Sequence, residues 1–77
     1  MALRHIGTDP GTDGNHCPTV WVDETTGEIV MQGWLPGPEM LAQARATGPI
    51  PPTEGVVRLP ARMAALIRQA CDAAEHA

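Results

Sequence analysis

Three clusters of glycine and proline divide this 77-residue chain into short segments. They lie at residues 7–18, 33–38 and 48–55. Because Gly and Pro both interrupt regular structure, the segments between clusters have room for one hairpin or one helix each. A chain of this length has material for one domain. We therefore predict a single small domain of short elements whose connections coincide with these clusters.

The composition leaves little material for a hydrophobic core. The chain has no Tyr and no Phe, and its two large aromatic side chains are Trp21 and Trp34. Each such ring buries on the order of 150–250 Å² when it is packed. Small domains with so little apolar area are marginal without further support. We expect that support from a disulfide, a metal ion or a partner chain.

The cysteines and the apolar runs indicate the compartment. No apolar run approaches the length of about 20 residues that a membrane span needs, and residues 1–9 lack the apolar stretch of a secretory signal. We therefore expect a cytoplasmic protein without a membrane partner. Cys17 and Cys71 allow one disulfide, but reduced thiols are the usual state in the cytoplasm, and the sequence does not decide between the two.

Residues 19–33 predict a β-hairpin. Residues 20–22 (Val-Trp-Val) and 29–30 (Ile-Val) are strand formers. The four residues between Asp23 and Glu28 end in Gly27, which suits a type I turn that closes with a left-handed residue. Pairing Asp23 with Glu28 places Val22 opposite Ile29, and it gives the hairpin one apolar face. The like charges at this pair suggest that the ladder frays at the turn.

Three further elements follow. Residues 38–47 predict a short helix, with Pro38 in the first turn and Gly48 after the last, and residues 55–59 predict a third strand. Residues 60–75 predict an amphipathic helix whose apolar stripe recurs at helical spacing, so that Cys71 would be a buried, inert thiol. The stripe consists of Met63, Leu66, Ile67, Ala70, Cys71 and Ala74.

Together these elements predict an α+β fold. We expect a small three-stranded antiparallel sheet, with the C-terminal amphipathic helix packed on one face and a short additional helix elsewhere. Residues 1–18 show no apolar period and predict a flexible or irregular N-terminal arm. Residues 19–77 would then form the domain.

The side chains that could carry chemistry form no strong motif. Asp9, Asp13 and Asn15 match a calcium loop poorly. His16 and Cys17 are the candidate zinc ligands, but neighbouring residues chelate one ion badly and no paired ligand spacing accompanies them. Cys17 with His5 or His76 would be the only nucleophile–base pairs. We therefore expect no enzyme activity and no cofactor, with a small zinc domain as the alternative.

One helix covers only one face of a sheet, so the second face is the candidate binding surface. Either residues 1–18 and the short helix cover that face, or it is exposed and binds a protein. Trp and Arg are the side chains most enriched in binding hot spots. The residues predicted to contact a partner, possibly in a homodimer, are Trp21, Val30, Trp34, Val56 and Arg58.

Direct DNA binding is a third alternative. Arg58, Arg62 and Arg68 form a small basic cluster near the C-terminus. The whole chain has a net charge of −4 and a pI of about 5.1, however. A domain that neutralises DNA phosphates normally has a basic surface, so the sequence disfavours nucleic acid as the partner.

From Cys17 onward the order of segments resembles a group of small actinobacterial proteins. The resemblance is carried by Cys17 before the first strand, the sequence VMQG at residues 30–33, and residues 54–60 leading into the final helix. Such proteins are typically encoded beside helix-turn-helix regulators of the WhiJ type, and BldB-like developmental proteins are similar in style. The resemblance implies a non-catalytic partner of a transcription regulator that acts by protein–protein contact, and it implies no particular site residue.

Overall fold

A computed structural model of the chain describes residues 2–11, 14 and 16–76. The described chain contains a three-stranded antiparallel sheet in the order β1-β2-β3 and two α-helices. The α+β prediction is therefore confirmed. The elements are β1 (Leu3–Thr8), β2 (Thr19–Asp23), β3 (Ile29–Gln32), α1 (Pro38–Thr47) and α2 (Ala64–Glu75), with a 3-10 turn at Ala61–Met63 directly before α2.

The predicted hairpin forms between β2 and β3 in the expected register. Val22 lies opposite Ile29, and Trp21 lies opposite Val30. Gly27 closes the turn with a φ of 78°, a backbone conformation that favours glycine. The ladder does not fray at the turn, because the Asp23 N–H donates to the Glu28 carbonyl over 2.8 Å.

The third strand comes from the other end of the chain. The prediction of an irregular arm is wrong for residues 3–8, because these residues form β1 and pair with the free edge of β2. The prediction of a strand at 55–59 is also wrong, because that segment contributes only an isolated bridge between Arg58 and Trp34. A register shift between His5 and Gly7 breaks the alternation in β1. Because of this irregularity, β1 lacks the regular alternation of apolar and polar residues that predicts a strand.

Gly7 belongs to a strand although it reads as part of a turn cluster. A Cβ atom at this position would lie 2.5 Å from Cδ2 of Leu66 on α2. The missing side chain therefore lets α2 approach β1 closely. Ile6, next to the shift, packs against the core.

The core is small and lies between α2 and the sheet. Its fully buried apolar side chains belong to Val20, Val22, Met63 and Ala70. Leu66, Ile67, Ala73 and Ala74 pack against these side chains from α2. Cys71 does not: the prediction of a buried thiol is wrong, because Cys71 is exposed. The packed stripe of α2 thus includes Ala73, which the predicted stripe left out, and excludes Cys71.

The helix α1 has the predicted bounds but an unexpected position. It packs against none of the strands and not against α2, and none of its residues is buried. In the part of the chain that the structure describes, no helix is long and apolar enough to cross a membrane.

A bidentate ion pair joins the end of β1 to the start of α2. Arg62 donates from Nε to Oδ1 of Asp9 and from Nη2 to Oδ2, each over 2.6 Å. The Asp9 side chain has no exposed surface, whereas about half of the Arg62 side chain is exposed. The Gly11 N–H also donates to Oδ1. These bonds to Arg62 and then to Gly11 outweigh burial and hold the pKa of Asp9 below its ordinary value of 3.8.

Replacing the central buried side chain should measure how much the domain depends on its core. Met63→Ala should lower the free energy of unfolding by about 2–5 kcal/mol, because it leaves a cavity beneath α2. Met40→Ala makes the same change at a side chain that is 46% exposed, and it should stay within about 0.5 kcal/mol of the natural chain. Urea unfolding followed by circular dichroism measures both, and equal losses would contradict this core.

Acid should destabilise the fold through Asp9. Its pKa is lower in the folded than in the unfolded chain, so the unfolded state binds more protons between the two values. The stabilisation is complete above pH 3.8 and is lost as the pH falls through the lower, folded pKa. Asp9→Asn should be less stable at neutral pH and less sensitive to acid, as measured by urea unfolding over a pH series. Asp23, whose pKa is also lowered, first by the Thr25 N–H, adds to the acid dependence in both chains. An equally steep loss in Asp9→Asn would contradict this assignment.

Candidate functional site

The five predicted contact residues fall into two groups. Trp21 and Val30 are paired across β2 and β3 on the face of the sheet opposite α2. Trp34 follows β3, and Arg58 lies opposite it in the segment that returns toward α2. Val56 is half-buried in the same segment. The structure therefore brings Trp34 and Arg58 together as one unit and Trp21 and Val30 as another.

Trp34 and Arg58 are held together by both backbone and side-chain contacts. Each donates its backbone N–H to the carbonyl of the other over 2.9 Å. The guanidinium carbon of Arg58 lies 5.1 Å from the centre of the Trp34 ring, which is the geometry of a cation–π contact. Two of the five side chains that sequence analysis predicted for binding thus contact each other.

Gly33 allows this close pairing. A Cβ atom at Gly33 would lie 2.7 Å from the carbonyl oxygen of Arg58 and 3.1 Å from Cβ of Val57. The obstacle is backbone, which cannot move aside as a flexible side chain can. The glycine before Trp34 therefore sets the distance between the two segments.

A shallow groove of about 500 Å³ opens beside the pair. It is lined by His16, Trp34, Leu35 and Arg58, and we call these four residues the Trp34 patch. Leu35 is 82% exposed, more than any other large apolar side chain of the described residues. Inside the patch, the indole Nε1 of Trp34 is buried without a hydrogen-bond acceptor.

Sequence analysis did not single out Leu35. It stands between Trp34 and Pro36 in the cluster GWLPGP, where four of the five other residues are glycine or proline. A leucine in such a cluster belongs to no helix or strand that could bury it. This pattern could have indicated that Leu35 is exposed.

Two of the described segments that could have covered the second face of the sheet, α1 and residues 3–8, do not lie over it. The helix α1 packs against no strand, and residues 3–8 lie beside β2 as a strand rather than over the face. Trp21 and Val30 are nevertheless only partly exposed. A smaller fraction of each side chain is exposed than of Leu35.

The described residues do not assemble a metal site. Cys17 donates from Sγ to the Gly14 carbonyl over 3.1 Å, and Asp9 is engaged by Arg62. Among residues 2–11, 14 and 16–76, no three His, Cys, Asp or Glu side chains are placed to hold an ion together. Asp13 and Asn15 lie outside the described residues. Cys17 and Cys71 are both free thiols.

The side chains of the candidate nucleophile–base pairs each hydrogen-bond to other groups. His5 hydrogen-bonds through Nε2 with the Thr8 hydroxyl over 2.9 Å, and Nδ1 of His76 lies 2.7 Å from the Asp72 carbonyl. Neither ring is directed to Cys17 by these bonds. A second cleft of about 370 Å³, with both polar and apolar residues in its lining, lies between β1 and α2. It is lined by Arg4, His5, Ile6, Gln69, Asp72 and Ala73.

Two of the three arginines in the basic cluster near the C-terminus contact other side chains of this chain. Arg62 is committed to Asp9, and Arg58 is stacked on Trp34. A phosphate would have to compete with a buried carboxylate for Arg62. Arg62 is therefore less available to a phosphate than the sequence suggested.

Comparisons of the chain with protein-family models, with curated proteins and with solved structures found no match. Function is therefore inferred from the surfaces described above. Of these, the Trp34 patch alone combines an ordered Trp–Arg pair with a highly exposed aliphatic side chain in the described part of the chain.

Enlarging Gly33 should separate the two halves of the patch. Gly33→Ala should lower the free energy of unfolding by about 1–3 kcal/mol, because the new methyl group meets backbone. Gly55→Ala is the matched control, since a Cβ there meets no atom within 4 Å. Urea unfolding monitored by tryptophan fluorescence measures both variants, and a Gly33→Ala variant as stable as Gly55→Ala would contradict the close approach.

Proposed function

We propose that this chain is a non-catalytic protein-binding module and that the Trp34 patch is the surface its partner contacts. The observation that carries the proposal is Leu35, whose side chain is 82% exposed directly beside the Trp34–Arg58 pair. Burial of so exposed an aliphatic side chain against a partner makes the free energy of binding more favourable.

The order within the patch favours binding. A partner that immobilises flexible side chains must overcome their loss of rotamer freedom. The backbone bridge and the cation–π contact already restrict Trp34 and Arg58 before any partner arrives. Trp and Arg in such positions are typical anchors of protein interfaces.

The partner class that we propose is a helix-turn-helix transcription regulator. The resemblance to proteins encoded beside such regulators supports it, and so does charge. This chain has a net charge of −4, whereas DNA-binding domains normally carry a basic surface. Opposite net charges accelerate the encounter of two proteins. On this proposal the chain works in the cytoplasm, by contact with the regulator rather than with DNA.

Photo-crosslinking from single positions tests the proposal. A photoreactive amino acid in place of Leu35 should form covalent products with a specific protein in the cells that make this chain. The same amino acid in place of Leu3 is the matched control. Leu3 is 47% exposed and lies on β1 at the end of the sheet away from Gln32 and Trp34.

Mass spectrometry of the products identifies the protein that is captured. Products from position 35 that are absent from position 3 support the proposal. No product from position 35, or identical products from both positions, would contradict it. A captured regulator would support the partner class as well as the surface.

A further inference from the structure

We infer that the cleft between β1 and α2 binds an extended segment of a partner protein, which adds to the sheet as a further strand beside β1. The segment carries an acidic and a basic side chain on the face that meets α2. This surface lies at the opposite edge of the sheet from β3, whereas the Trp34 patch follows β3. The inference therefore concerns a second surface and is independent of the proposed function.

The outer edge of β1 presents backbone groups that the sheet does not use. Residues of an antiparallel ladder alternate between pairs that exchange backbone hydrogen bonds and pairs whose N–H and C=O groups point away from each other. The Glu24 N–H donates to the Ala2 carbonyl over 2.9 Å, so Ala2 and Glu24 form a bonded pair. Leu3 follows Ala2, so its N–H and C=O point to the outer edge. Those of His5, two residues further along the same regular ladder, do so as well.

Two further observations support this assignment. Asp23, which lies opposite Leu3, donates its N–H to the Glu28 carbonyl, on the side of β2 away from β1. Outside the ladder with β2, no backbone hydrogen bond between described residues reaches Leu3 or His5. An extended polypeptide is the ligand that satisfies such an edge, because its own N–H and C=O groups repeat at the spacing of a strand.

The helix α2 makes this edge one side of a groove. Residues 4–6 of β1 form one wall of a cleft of about 370 Å³, and Gln69, Asp72 and Ala73 of α2 line the other. A strand added to β1 would run along this cleft with every second side chain directed at α2. Main-chain hydrogen bonds then supply affinity, and the side chains that meet α2 supply specificity.

The two walls of the cleft carry opposite charges that the chain leaves unpaired. Arg4 lies on β1 and Asp72 lies on α2, and neither has an ion-pair partner among the described residues. A segment with a carboxylate for Arg4 and a cationic side chain for Asp72 complements both. Because alternate side chains of a strand share a face, the two residues of the segment would be two positions apart.

A second copy of this chain does not complement the cleft in the same way. Its edge strand β1 has the sequence LRHIGT, which contains no acidic residue. Pairing of two copies through β1 would therefore bring no carboxylate to Arg4 from that strand. Two copies with a net charge of −4 also repel each other at long range. These charges favour a different polypeptide as the occupant.

Selection of short random peptides displayed on phage, with the purified full chain as bait, tests the inference. The selected peptides should share an acidic and a basic residue two positions apart and should bind with a dissociation constant on the order of 10 μM. Hydrogen exchange measured by NMR locates the added strand. With saturating peptide, the amides of Leu3 and His5 should exchange at least about tenfold more slowly.

Met31 is the matched control for hydrogen exchange. By the same alternation its N–H points to the outer edge of β3, because the bonded pair of Asp23 and Glu28 is followed by that of Trp21 and Val30. A peptide on β1 does not reach this edge. The exchange rate of the Met31 amide should therefore change by less than about twofold.

Charge reversal tests the two side-chain contacts. Arg4→Glu and Asp72→Lys, each alone, should weaken binding of a selected peptide at least about fivefold, because like charges then face each other. A peptide with its acidic residue replaced by Lys should bind Arg4→Glu within about threefold of the original pair. Arg45→Glu and Glu39→Lys make the same charge changes on α1, which does not line the cleft, and they should leave the affinity within about twofold.

The peptide carries the same test without any change to the protein. Reversal of either charge in the peptide should weaken its binding to the natural chain by the same factor of about five or more. This measurement stands even if Arg4→Glu or Asp72→Lys folds poorly, which circular dichroism of each variant shows.

Each contrary result overturns the inference for a separate reason. If no peptide is selected, the cleft does not bind an extended segment. Peptides that bind without slowing exchange at Leu3 and His5 do not add a strand to β1. Free lysine or glutamate that binds as tightly as the peptides would make the cleft a small-molecule site. Protection of the same amides that rises with the concentration of the chain alone would make a second copy the occupant.

Discussion

The ion pair between Asp9 and Arg62 is the constraint on which the rest of this small fold depends. It ties the end of β1 to the turn that opens α2, across 53 positions of the chain. A buried carboxylate is costly unless it is paired and hydrogen-bonded. Asp9 meets both conditions, because two bonds from Arg62 and one from the Gly11 N–H reach its oxygens. With that junction fixed, Gly7 lies beneath Leu66 and Ile6 reaches the core.

The small core explains why so much of the chain is left for other contacts. One helix of 12 residues covers mainly β2, where Val20 and Val22 are buried, while Ile29 and Met31 on β3 stay more than a third exposed. The segment from Gly33 to Arg58 adds no strand and places α1 against no other element. What this segment does supply is the Trp34–Arg58 pair and the exposed Leu35. The hydrophobic core and the proposed binding surface are therefore formed by different parts of the chain.

Sequence patterns located part of the candidate site but not its centre. Trp34 and Arg58 were predicted to contact a partner, yet their mutual backbone bridge has no local signature. Trp21 was also predicted to contact a partner, and it is only partly exposed, opposite Val30. Leu35 was missed because a single leucine between turn residues has no period. The burial of Cys71 was predicted wrongly. Apolar residues at helical spacing predict which side of α2 is buried, but the width of the buried surface depends on how α2 packs on the sheet.

The sequence by itself determined the elements whose information is local. The register of the β2–β3 hairpin follows from its turn and its alternation, and the bounds of α1 follow from Pro38 and Gly48. Tertiary structure decided which segment becomes the third strand. Residues 3–8 pair with β2, whereas residues 55–59 form only one bridge, and both contacts join residues distant in sequence. Tertiary structure also decided that Asp9 meets Arg62 and that Trp34 meets Arg58. Both pairings join residues that are distant in sequence, and they form only when the intervening segments fold. The sequence around each residue has no local pattern that predicts such a contact.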